Sequence, residues 1–164
     1  MKLKMNNQIL TIERALEYCV KRLAACEITQ AALLLKLKQR GCPTEIAQQA
    51  VGMMLEKGYL NDKRSGERLL RMWRRNGKNG VGKLKITLRA QGVDDALQQE
   101  LLATVTDEEE LQYARGAFAI YHLKQDDPRW KEKALAYLVR RGFTLATAQK
   151  IVPESLSVPP FDLS

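Results

Sequence analysis

Apolar residues return along the chain at spacings of three and four. Ile12, Leu16, Cys19, Val20 and Leu23 fall on one helical face, as do Gly66, Leu69, Leu70 and Trp73, and then Leu111, Ala114, Phe118 and Tyr121. Ile46, Ala47, Ala50, Val51, Met54 and Leu55 form another such stripe. Nowhere is the period of two that marks a strand sustained, so the pattern predicts an all-α protein.

The pattern also repeats. Leu37-Lys-Gln-Arg-Gly41-Cys42, Leu88-Arg-Ala-Gln-Gly92-Val93 and Leu138-Val-Arg-Arg-Gly142-Phe143 align without gaps. Apolar pairs follow each glycine nine and ten residues later, at Ala50/Val51, Leu101/Leu102 and Ile151/Val152. Each glycine is expected to end a helix in the left-handed conformation, which glycine alone adopts without strain. Pro43-Thr44, Asp94-Asp95 and Thr144 are expected to open the next one. With one helix preceding each pair, the chain reads as three tandem three-helix repeats forming an elongated curved array. The boundaries fall at 1–10 for an N-terminal extension, 11–60, 61–105 and 106–152 for the repeats, and 153–164 for a tail. Pro153, Pro159 and Pro160 stop that tail continuing the last helix.

Composition fits this picture. Aromatic residues are 6% of the chain against 45% apolar residues, so the core must be built from Leu, Ala, Val, Ile and Met. No apolar run reaches the ~20 residues a membrane helix needs, and Met1-Lys2-Leu3-Lys4-Met5 is too short and polar for a secretion signal. Cys19, Cys26 and Cys42 are odd in number and read as reduced thiols, and the expected location is the cytoplasm.

Charge singles out the middle repeat. The net charge is +8, and residues 61–92 carry ten Lys/Arg against only Asp62 and Glu67. At 100° per residue Arg64, Arg68, Arg71 and Arg75 fall within about 60° of one another, opposite Leu69, Leu70 and Trp73. Arg74 flanks this stripe, and Lys78, Lys83, Lys85 and Arg89 carry the charge onward. These nine side chains are the candidate partner-binding surface, since Arg favours bidentate contact with carboxylates and phosphates.

Catalysis finds little support. His122 stands alone, and neither a nucleophile elbow nor an HExxH motif is present. Gly77-Lys-Asn-Gly80-Val-Gly82-Lys83 invites comparison with a phosphate loop, but Leu84 follows where Ser or Thr is required and a basic helix precedes it in place of a strand. Glu108-Glu109-Glu110 is expected in the first turn of a helix, where acids meet the positive dipole end, and not at a metal. The reading is therefore a non-enzymatic binding protein without cofactor or metal.

The segment Gly58-Tyr59-Leu60-Asn61-Asp62-Lys63-Arg64 resembles the Gly-Tyr-Leu-Asp-Asp-x-Arg-Phe signature of the RecX family of RecA regulators. The stretch Gly80 to Val93, with Leu84, Leu88 and Gly92-Val93, is similar to the family's following Gly-x-Gly-Pro helix-and-glycine segment. Two departures mark a divergent member: Ser65 stands in place of the Phe, and Lys78-Asn79-Gly80-Val81 stands in place of Gly-x-Gly-Pro. The resemblance implies three three-helix repeats, binding along the helical groove of RecA–DNA filaments as a monomer, and inhibition of recombinase and ATPase activity. The residues by themselves leave a second reading open, in which the basic helix–turn–helix unit contacts DNA or RNA directly.

Overall fold

A computed structural model describes residues 9–121 and 127–152. His122 and the tail from Pro153 lie outside the described residues. Everything described is helix, turn or connector: α1 (Ile12–Ala25), α2 (Gln30–Gln39), α3 (Thr44–Glu56), α4 (Asp62–Asn76), α5 (Val81–Ala90), α6 (Asp95–Ala103), α7 (Asp107–Ala119), α8 (Trp130–Arg140) and α9 (Leu145–Ile151). The protein is all-α.

The chain divides into two compact units, Met1–Arg71 with Thr87–Leu101, and Met72–Ile86 with Leu102–Ser164. In the first, α1 and α2 pack on α3 around Ala15, Cys19, Leu33, Leu37, Ala50 and Val51. In the second, α7, α8 and α9 pack together around Ala114, Ala117, Ala134, Leu138, Phe143 and Ala148. Alanines with no exposed surface recur in both cores. They let helix axes approach closely, so these cores need few aromatic rings. Val20, placed by periodicity on the apolar face of α1, is 51% exposed, and Ala15 and Cys19 take the buried positions.

The recurring glycines have a common geometry. Gly41, Gly92 and Gly142 have φ of 74°, 70° and 88°. At each, the glycine N–H donates to the carbonyl three residues back (Lys38, Arg89, Val139; 2.9 Å each), and the following residue donates to the leucine carbonyl five back (Leu37, Leu88, Leu138; 3.1–3.2 Å). That is the Schellman helix end, in which the residue after the glycine meets the residue four before it. Leu37/Cys42, Leu88/Val93 and Leu138/Phe143 are those pairs, all buried. The spacing seen in the sequence is thus a hydrogen-bond geometry. Gly58 ends α3 in the same way.

A joint also recurs on these turns. The carbonyl just before each glycine takes a donor from a segment earlier in the chain. Arg40 O accepts from Ile9 N at 3.1 Å, Gln91 O accepts from the Thr29 hydroxyl, and Arg141 O accepts from Gly80 N at 2.9 Å. Ile9, within the stretch read as an extension, is buried and occupies at the first turn the place a preceding helix start occupies at the other two. The first amide of the docking helix is bonded as well: Gln30 N to Asp62 Oδ1 at 2.7 Å, and Val81 N to Glu110 Oε1 at 3.2 Å. At the second and third turns no Cβ fits at these contacts. One on Gly92 would lie 2.3 Å from Ala31 Cβ, and one on Gly80 would lie 2.3 Å from Phe143 N.

Glu110 is buried, and burial pushes its carboxyl above the ordinary range; Val81 N–H pulls against this and Asp107 adds to it. A carboxyl raised in the folded state binds protons more tightly than in the unfolded chain, so its charge costs stability above the folded pKa and the cost is relieved as pH falls. Glu110→Gln keeps an acceptor for Val81. It should therefore melt at or above the wild-type temperature at pH 7, with the advantage shrinking as acid protonates the wild-type carboxyl. Thermal melts between pH 4 and 8 test this; a variant several degrees less stable at pH 7 would show that the charge itself holds the joint.

Candidate functional site

The arginine stripe lies on α4, a helix started by Asn61, whose side chain accepts from Arg64 N at 2.9 Å. Leu70 and Trp73 are buried on the opposite face. The Trp73 indole N–H donates to Gly80 O at 3.2 Å, and its ring meets Tyr113 edge-on at 5.1 Å. Trp73 is thus part of the core and offers no surface for a nucleic-acid base to stack on.

The nine basic residues are differently engaged. Arg64, Arg71 and Arg75 are exposed and Arg68 is half-buried. Arg64 Nε lies 3.1 Å from Glu27 Oε1, and Arg71 lies 3.9 Å from Glu27 Oε2 and 4.0 Å from Glu67. Exposed pairs of this kind are worth about 0–1 kcal/mol, so a partner's acids can replace them at little cost. Arg74 is held far more firmly. Its Nε and Nη2 reach both Glu109 oxygens at 2.9 and 3.3 Å, and Nη2 also donates to Thr104 O at 2.9 Å. Burial pushes the Glu109 carboxyl up, but hydrogen bonds from Arg74 and Tyr113 outweigh it and leave the group below its usual range. Arg74 thus ties α4 to α7 within its unit. Lys78, Lys83, Lys85 and Arg89 are exposed, and Lys78 O accepts from Arg141 at 3.1 Å.

Glu27 went unnoticed in the sequence, where a single acid before α2 carries no periodic signal. Nor did Arg22 and Lys36 stand out, since they lie outside the basic middle stretch. With Arg68 and Arg89 they line a cavity of about 440 Å³ in the first unit.

The glycine-rich segment is closed to phosphate. Gly80 and Gly82 donate to Arg141 O and Gly142 O, both at 2.9 Å, Lys83 N donates to Gly80 O at 3.1 Å, and the Val81 amide meets the Glu110 carboxylate. The amides a phosphate loop would present are thus given to the protein's own acceptors, one of them an acid. Asp107 to Glu110 occupy the first turn of α7, as expected, and among the described residues no group of three His, Cys, Asp or Glu could hold a metal. No helix among them is long and apolar enough to cross a membrane.

The signature segment proves to be mainly architectural. Gly58 ends α3, Leu60 is buried, Asn61 caps α4, and Asp62 bonds the first amide of α2. Arg64 donates to Tyr59 O at 3.2 Å, and Ser65, where the signature has Phe, is buried. Tyr59, 56% exposed, projects outward, as do Lys63 and Arg64.

No family model matches the chain. Its relatives are nonetheless consistent. It is 34% identical over 129 residues to the regulatory protein RecX of Trichlorobacter lovleyi, covering 76% of this chain and 84% of that protein. It is 28% identical over 149 residues to that of Mycobacterium leprae (88% and 87%), and 33% identical over 136 residues to that of Deinococcus radiodurans (80% and 63%). Among solved structures, RecX from Lactobacillus salivarius matches with a TM-score of 0.73 at 18% identity over 86% of this chain and 94% of that one. A second regulatory protein RecX matches with a TM-score of 0.75 at 19% identity, over 85% and 72%. With the glycine-turn helix pairs and the Gly58–Arg64 segment in place, these matches show that the chain belongs to the RecX family of regulatory proteins.

Proposed function

We propose that this protein regulates a RecA-type recombinase by lying in the helical groove of the recombinase–DNA filament and suppressing its ATPase and strand-exchange activity. We propose too that the chain is three tandem repeats, with the basic middle one meeting acidic surfaces of the filament. The observation that carries the reading is the face of α4, where Arg64, Arg68, Arg71 and Arg75 stand opposite a buried Leu70/Trp73 face, with Arg64 and Arg71 in exchangeable surface pairs to Glu27.

The helix that would enter a DNA groove in a helix–turn–helix reading is α6, and its sequence DALQQELLA holds two acids and no base. Its turn is also closed off by Ala31 against Gly92. Both features favour the protein filament over naked nucleic acid.

The test compares two titrations. Binding of naked DNA through ~6 phosphates should weaken about a thousandfold between 50 and 200 mM salt. At salt where that binding has vanished, the protein should still suppress filament ATPase. Loss of suppression in step with DNA binding would make direct DNA contact the function.

A further inference from the structure

We propose that the cavity of the first unit is a docking pocket for an acidic peptide segment carrying one apolar anchor residue, supplied by the protein partner. Its walls come from the end of α1, the α1–α2 connector, one face of α2, α4 at Arg68 and the end of α5. Its volume of about 440 Å³ falls within the ~300–1,000 Å³ typical of ligand sites.

Four cations line it, Arg22, Lys36, Arg68 and Arg89. The acid in the wall, Glu27, is already paired with Arg64 at 3.1 Å and Arg71 at 3.9 Å, so it neutralises little of that charge. Arg22 adds an independent sign. Its Nε is buried and has no hydrogen-bond acceptor among the described residues. A buried donor left unmade costs on the order of 1–3 kcal/mol, and a turn of the Arg22 side chain toward a carboxylate in the cavity would supply the acceptor.

The rest of the lining decides between anions. Leu35, 55% exposed, forms an apolar floor with neighbouring alanines, and no aromatic ring lines the cavity. Nucleic acid held by backbone phosphates makes no use of an apolar floor, and its bases would want a ring to stack on. A peptide with carboxylates flanking a leucine-like side chain satisfies both the rim and the floor.

The cavity contains its own reporter. Cys26 lines it and is half-exposed, whereas Cys19 and Cys42 are buried, with burial and the neighbouring Cys42 pushing the Cys19 thiol up to about 11. N-ethylmaleimide should therefore modify Cys26 first, because the thiolate is the reactive form and access is required. The probe is a capped five-residue peptide with a central leucine between two pairs of aspartates. At saturation it should slow Cys26 modification, followed by mass spectrometry on the full chain, about tenfold or more. Replacing its leucine by glycine should weaken that protection, and oligothymidylate of equal charge should give none. Arg22→Gln with Lys36→Gln should weaken peptide binding about tenfold or more, with folding checked by circular dichroism. Lys36→Gln alone, at a half-exposed site, serves if the double variant does not fold. Protection by oligothymidylate and not by peptide, or equal protection in the folded variants, overturns the proposal. The identity of the peptide's donor rests on the function proposed above, and the two separate cleanly. A folded variant that no longer binds peptide yet suppresses filament ATPase in full removes the cavity from the interface and leaves that function standing. A wild-type protein that binds peptide but suppresses no filament does the reverse.

Discussion

Gly142→Ala is expected to lower stability by about 3 kcal/mol or more, while Gly116→Ala, in the same compact unit, raises it. Two separate causes act at Gly142. Its φ is 88°, which costs a residue bearing a Cβ about 1–2 kcal/mol. The added Cβ would also lie 2.5 Å from Lys83 N and 3.2 Å from Gly82 C, atoms of backbone that cannot swing aside. Relief requires prising the start of α5 off the turn. That loosens the hydrogen bonds of Gly80 and Gly82 to Arg141 O and Gly142 O, each worth about 1 kcal/mol. Gly116 sits inside α7 with nothing within 4 Å of its would-be Cβ, so alanine there gains about 0.5–1 kcal/mol of helix propensity. Thermal melts should show Gly142→Ala down by about 10 °C and Gly116→Ala up by a few degrees. A mild loss at Gly142 would mean the joint yields readily and does not fix the fold.

The second large effect is functional. Arg68→Glu with Arg71→Glu should raise the concentration needed to suppress filament ATPase about a hundredfold or more, because reversed charges facing acidic groups cost several kcal/mol. Stability should hardly move. Arg71 is exposed, and its pairs to Glu27 and Glu67 at 3.9 and 4.0 Å are long. Surface changes of this kind usually stay within about ±0.5 kcal/mol. The measurement is the ATPase titration beside a melt of the same sample. Undiminished suppression by the folded double variant would place the binding surface elsewhere.

The outcome at Arg74 shows how far the sequence alone could reach. The periodicity of α4 put Arg64, Arg68, Arg71 and Arg75 on one face correctly, because a face is a local property of 100° steps. It could not show that Arg74 spends its guanidinium on Glu109, 35 residues away, since ion pairs across that distance leave no periodic trace. The glycine turns were legible for the opposite reason: a Schellman end confines its hydrogen bonds and its apolar pair to six consecutive residues. The joints built on those turns were not legible. The acceptor is a backbone carbonyl, the same in every residue, and its donors are an amide at Ile9, a hydroxyl at Thr29 and an amide at Gly80. With no shared residue type, the contact leaves no motif. The cavity was hidden likewise, because its cations come from four stretches of chain and only two of them lie in the basic middle repeat.

The joint at Gly80–Gly82 has a consequence on the scale of time. Read by composition, Gly77 to Lys83 is the kind of segment whose amides trade hydrogen with solvent in the unprotected regime. Yet the Gly80, Val81 and Gly82 amides each end on a protein acceptor, two of them carbonyls of another helix's glycine turn. The Gly80 and Gly82 amides cannot open by local fraying alone, since their release requires the turn at Gly142 to part from α5, whereas Val81 needs only the Glu110 side chain to withdraw. Exchange at Gly80 and Gly82 should therefore follow the opening of the α8–α9 turn, making these two glycine amides slow clocks for the second unit as a whole.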